Sequence, residues 1–151
     1  MTRRGHGSHL VRRFAGSLSR REPDLADIAW VDSQLLAGES QLWHRMSAAD
    51  RRHSIAVARR FESLGGSWSR EEIAGALLHD IGKLDAGLGT MARVVATIAG
   101  PRTARFRSYH DHEQTGADLL VAAGSSDVTV ELVRGTSAGP ASSALAEADN
   151  I

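Results

Sequence analysis

The chain has 151 residues, a length suited to one domain with a single core. It contains no cysteine, which excludes disulfides, a thiolate nucleophile and a cysteine-ligated zinc site and suits a reducing cytoplasm. Net charge is zero but unevenly spread: the first 21 residues hold six of the 18 basic residues and no acid, so the remainder sets 12 basic residues against 18 acids, a balance of −6. No apolar run is long enough to span a membrane, and charges interrupt every candidate core of a signal peptide.

The pattern divides the chain into a basic arm over residues 1–21 and a single helical domain over 22–151. Within the arm, Ser8–Leu18 is predicted as a short amphipathic helix, with Leu10, Val11, Phe14 and Leu18 on one stripe. It either docks on the core or presents its arginines to an anionic surface or nucleic acid. Pro23 suits the first turn of a helix over about Asp24–Leu36. A second helix is expected from about Glu39 to Met46. A third, from about Ala48 to Leu64, carries the stripe Ala49, His53, Val57, Phe61, Leu64 and stops at Gly65-Gly66.

Ser69-Arg70-Glu71-Glu72 is a capping box. It opens a helix that runs to His79-Asp80, with Ile73, Leu77 and Asp80 sharing one face. Gly82 follows where the helix is expected to end in a left-handed cap. Lys83 comes next and is the only lysine among 18 basic residues, notable because lysine and arginine are not interchangeable. Met91–Ala99 has helical spacing, and Arg102, Arg105 and Arg107 form a small basic cluster that either faces a phosphate or is simply solvated. The next helix is expected to begin at Tyr109 and reach Ala123, with His112, Gly116 and Leu119 on one face and Gly116 leaving space beside His112. Asp127 is expected to cap a helix to Arg134, and Pro140 to open a last one in which Leu145 and Asp149 share a face. No strand alternation, internal repeat or phosphate-binding loop is present. The fold class expected is all-α.

Four sites on separate helices thus point polar groups inward: His53, His79 with Asp80, His112, and Asp149. Buried separately, each imposes its own desolvation cost; converging on one metal ion removes all of them together. Mixed nitrogen and oxygen donors suit Mn, Fe, Co, Ni or Zn.

The order of these residues resembles the HD superfamily of metal-dependent phosphohydrolases: a His (His53), a His-Asp pair (His79, Asp80) and a distal Asp (Asp149). His79-Asp-Ile-Gly-Lys83 is similar to the HDIGK subgroup, and His112-Glu-Gln-Thr-Gly116 to that subgroup's His-x-x-x-Gly helix. The resemblance covers about residues 48–151, and the segment from Trp30 through Met46 also looks like short stand-alone HD proteins. It implies a helical bundle around a central divalent metal (Mn, Fe, Co, Ni, Zn or Mg) held by His53, His79, Asp80 and Asp149, with His112 serving any second ion. It further implies hydrolysis of a phosphomonoester or phosphodiester, nucleotides among them, by a metal-activated water. Asp80 and Lys83 carry the chemistry in that reading, and Lys83, Arg102 and Arg105 hold the phosphate; Asp80, Asp85 and Glu113 are all conceivable general bases. The alternative is an HD module that binds a nucleotide or partner without turnover. No histidine follows His112 and there is no Gly-Tyr-Pro, which argues against cyclic-dinucleotide phosphodiesterases of the HD-GYP type.

Overall fold

Four of the helices in this protein start at a side-chain cap. Asp24 accepts the amide of Ala26 at 2.9 Å, Ser47 that of Asp50 at 3.1 Å, Ser69 that of Glu72 at 3.2 Å and Ser126 that of Thr129 at 3.4 Å. Each satisfies a helix N–H that has no partner within the helix. The computed structural model describes residues 20–88 and 103–151, without the side chains of 85–88 and 103–111. Among the described residues the helices are α1 (Leu25–Gln34), α2 (Ala37–His44), α3 (Ala48–Ser63), α4 (Arg70–Leu78), α5 (Thr103–Ala122), α6 (Asp127–Arg134) and α7 (Pro140–Asp149), with a 3₁₀ segment at Ile81–Leu88. None of the described residues forms a strand, so the all-α expectation stands.

α3 packs against α4 and α7; α4 packs against α6 and α1; α5 packs against α6 and the 3₁₀ segment. The core between them is built from Val31, Trp43, Val57, Phe61, Leu77, Leu78, Ile81 and Leu120, all fully buried. Their spacing explains the helices: Val57 and Phe61, one turn apart, turn the same stripe of α3 inward. Trp43 brings a polar N–H into that core and donates it to Ser54 Oγ at 2.8 Å.

Four local expectations need correction. Gly82 is not in the left-handed region; among the described residues positive φ is found at Gly65, Gly66, Gly124, Gly135 and Gly139. α4 ends at Leu78, and the chain continues directly into the 3₁₀ segment, with Lys83 N–H donating to Asp80 O at 3.0 Å. Gly82 is there because a Cβ would collide with the carbonyl of His112 on α5. Gly116 does not leave open space beside His112: Gly82 N and Ile81 Cγ2 stand 3.1 and 3.2 Å from where its Cβ would lie. α5 starts at Thr103, before Tyr109, and the cap of α6 is Ser126 with Asp127 inside the first turn. The predicted helices at Ser8–Leu18 and Met91–Ala99, and Arg102, lie outside the described residues, as do the side chains of Asp85, Arg105, Arg107 and His110.

Candidate metal centre

His53 comes from the second turn of α3, His79 and Asp80 from the residues just past α4, and Asp149 from the last position of α7. The packing of α3 between α4 and α7 brings these three chain segments together. Their donor atoms meet: one atom each from His53, His79 and Asp80 lies within 4.8 Å of the other two. Asp149 Oδ1 stands 3.1 Å from His53 Nε2 and 3.3 Å from His79 Nε2. The imidazole centroids are 5.8 Å apart.

The orientation of His79 is fixed from behind. Its Nδ1 faces the carbonyl of Ala76 at 2.8 Å, a contact in which the ring nitrogen must donate. In the neutral ring Nε2 then carries a bare lone pair. That atom is buried and forms no hydrogen bond, although Asp149 Oδ1 lies at 3.3 Å and Asp80 Oδ2 at 3.5 Å. These oxygens are near enough for charge pairing but lack hydrogen-bond alignment. Lone pairs crowded in this way repel unless a proton or a metal cation sits among them.

The protonation tendencies agree. Burial alone pushes His79 toward the neutral form, but the carboxylates of Asp149 and Asp80 outweigh it, and the net direction is upward from 6.5. Asp149 is driven far below the usual carboxylate range, first by the contact with His53 and then by that with His79. A cluster whose carboxylates favour a proton on His79 favours a divalent cation on the same electrostatic ground. Two imidazole nitrogens and two carboxylates form a donor set that a borderline or hard divalent metal accepts, so the residues present fit such an ion.

Beside the cluster is a cavity of about 390 Å³. His53, His79, Asp80 and Asp149 line it, as do Lys83, His112 and Glu113, and its apolar wall is Leu132 and Val133 of α6 with Leu145 and Ala146 of α7. Lys83 Nζ is bonded to Asp80 Oδ2 at 2.6 Å, so the lysine is a partner of the carboxylate, with its remaining hydrogens free for the cavity.

A family model described as the HD domain matches residues 51–140, more than half of the chain. The chain belongs to the HD domain family. No match was found among curated proteins or among solved structures. HD domains are a superfamily of metal-dependent phosphohydrolases that bind divalent metals, and the His53–His79–Asp80 cluster is a place in this HD domain where such an ion could be held. The match ends before Asp149, whose place in the cluster comes from the geometry alone.

Of the residues singled out from sequence, the HD fold gathers His53, His79, Asp80, Asp149, Lys83 and His112 around one cavity. His112 lines the wall but is not part of the close donor group. Sequence reasoning missed Glu39, a fully buried carboxylate. It accepts Leu36 N–H at 2.8 Å and Ser125 Oγ–H at 2.8 Å, with Arg70 Nη1 at 3.6 Å. Its position three residues past Leu36 marks it as a helix-start residue; nothing local foretells Ser125. The cavity wall of Leu132 and Val133 was missed as well; only the helix that carries them was expected from sequence.

Proposed function

We propose that this HD domain is a phosphohydrolase that binds one divalent ion through His53, His79, Asp80 and Asp149 and cleaves a small phosphoester in the adjoining cavity. The observation that carries this reading is the buried Nε2 of His79. It has no hydrogen bond, it is held in place by the Ala76 carbonyl, and it is crowded by carboxylate oxygens beside an open cavity. A divalent ion bound there supplies Lewis acidity and a water of lowered pKa.

The chain's own residues do the rest. Asp149 offsets charge beside both imidazoles. Lys83 holds Asp80 in one orientation and directs its spare N–H hydrogens toward a phosphate oxygen, where charge grows during transfer. Leu132, Val133, Leu145 and Ala146 seat the alcohol portion and keep bulk water from that side. Arg102 and Arg105 stay proposed phosphate contacts on sequence grounds.

The test combines elemental analysis with a screen of phosphoesters in the presence of Mn, Co, Ni, Zn, Fe or Mg. The parent is expected to retain a divalent metal and to hydrolyse at least one ester, and Asp80→Asn to lose most of both. Stoichiometric metal in Asp80→Asn refutes the ligand assignment; metal retention with no turnover of any ester favours a binding module.

A further inference from the structure

The carboxylates and imidazoles on the metal side of the cavity are engaged with one another or with Lys83. Glu113 and the neighbouring imidazole of His112 are not. Glu113 lines the cavity half-buried, one position after His112 on α5, and among the described residues it makes no hydrogen bond and no ion pair. Its carboxylate lies against the end of α6: a Cβ placed on Gly135 would stand 3.4 Å from Oε2 and 3.6 Å from Oε1. Gly135 is the C-cap of α6, at φ 77°. Helix C-termini carry negative partial charge. Arg134, the cation of that last turn, makes no ion pair with Glu113 and does not line the cavity. A half-buried carboxylate beside a helix C-terminus is unfavourable unless hydrogens or positive charge reach it from the cavity.

The cavity is therefore polar in two senses. One part, with Lys83 and the cluster that attracts a cation, suits a phosphate. The other, with Glu113 and the α6 terminus, suits a cation. Leu132, Val133, Leu145 and Ala146 supply apolar wall. No Phe, Tyr or Trp is among the described lining residues; the rings there are the imidazoles of His53, His79 and His112.

We infer that Glu113 is a specificity residue that receives the ammonium group of the substrate's alcohol portion, and that the preferred substrate class is an amino-alcohol phosphomonoester. This rests on the hydrolase reading given above. An ammonium offsets both the carboxylate charge and the helix-end dipole, whereas a hydroxyl offers a single hydrogen and no net charge.

The experiment compares phosphoethanolamine, glycerol phosphate and ethyl phosphate on metal-loaded parent, Glu113→Gln and Glu113→Asp. Steady-state kinetics give KM and kcat, and calorimetry gives Kd. The parent is expected to favour phosphoethanolamine over ethyl phosphate in KM by about tenfold or more, which converts to about 1.4 kcal/mol. Glu113→Gln should remove most of that preference through KM, with ethyl phosphate little changed, and Glu113→Asp should keep part of it. Equal KM for the two esters in the parent, a preference for glycerol phosphate over phosphoethanolamine, or an equal loss of kcat on every ester in Glu113→Gln overturns the inference. If the parent hydrolyses none of the three, nor any ester of a wider screen, the hydrolase reading falls. The ratio of calorimetric Kd values for phosphoethanolamine and ethyl phosphate then decides Glu113 by itself, and a ratio near one overturns its role.

Discussion

Replacing Gly82 by alanine tests how the metal-side cluster is joined to the rest of the cavity. The added Cβ would meet the carbonyl of His112, with the His112 carbonyl carbon 2.8 Å and Gly116 N 3.1 Å away. These are backbone atoms of a helix, so no rotamer change relieves the clash, and the 3₁₀ segment and α5 must separate. Overpacking costs about 1–3 kcal/mol and sometimes more; with backbone on both sides the upper end, about 3 kcal/mol, is expected. For a chain of this size that corresponds to a loss of roughly 6–12 °C in Tm. Gly75→Ala is the internal comparison. Its Cβ would come within 2.7 Å of Leu132 Cδ2, with Cγ and Cβ of that side chain at 3.2 and 3.3 Å; a side chain rather than backbone has to give, so a cost of about 1 kcal/mol, below that of Gly82→Ala, is expected. Gly82→Asn separates packing from conformation. A left-handed helix cap tolerates asparagine, so if Gly82 served as such a cap Asn would be milder than Ala. The packing account predicts that Asn is at least as damaging. Urea denaturation and thermal melts of the three variants measure this. A Gly82→Ala protein with the Tm of the parent, or an Asn variant more stable than the Ala variant, refutes the reasoning.

Lys83→Met should leave metal content intact, because Asp80 keeps both oxygens, while turnover falls at least about tenfold, or about 1.4 kcal/mol of transition-state stabilisation; unchanged kinetics would make Lys83 a bystander. The metal-free cluster should have a stability window set by its two perturbed groups. The carboxyl of Asp149 is depressed, so its contribution is present above its ordinary value of 3.8 and is lost as pH falls. His79 is raised, so its contribution is present below 6.5 and is lost as pH rises through its folded value. A metal replaces the His79 proton, so the increase in Tm on adding metal to chelator-treated protein should grow from pH 5.5 to 8, and an increase independent of pH contradicts that exchange. His112→Ala should leave the tightly held ion in place and weaken only activation by excess metal, read by calorimetric titration; loss of the tight site in this variant places His112 among its ligands.

Much of the secondary structure is legible in the sequence because it is determined locally. Ser69 starts its helix through a bond to Glu72, three positions on, as its capping box says, and the four-residue steps from His53 to Val57 and Phe61 set which face of α3 turns inward. The polar residues of the cluster were legible for the same reason: imidazoles and carboxylates on inward stripes demand partners wherever the helices meet. Tertiary packing decided what those partners are. Gly82 looks like a helix cap until α5 is set against it, because a glycine needed for φ and a glycine needed for close approach are identical as letters. Lys83 was expected to face a phosphate and is bonded to Asp80. The convergence of Asp149 with His53 joins residues 96 positions apart, and the burial of Glu39 against Ser125 joins residues 86 apart. Periodicity says which way a side chain faces along its own helix; only the docking of α3 between α4 and α7, and of α5 on the 3₁₀ segment, determines which side chains meet.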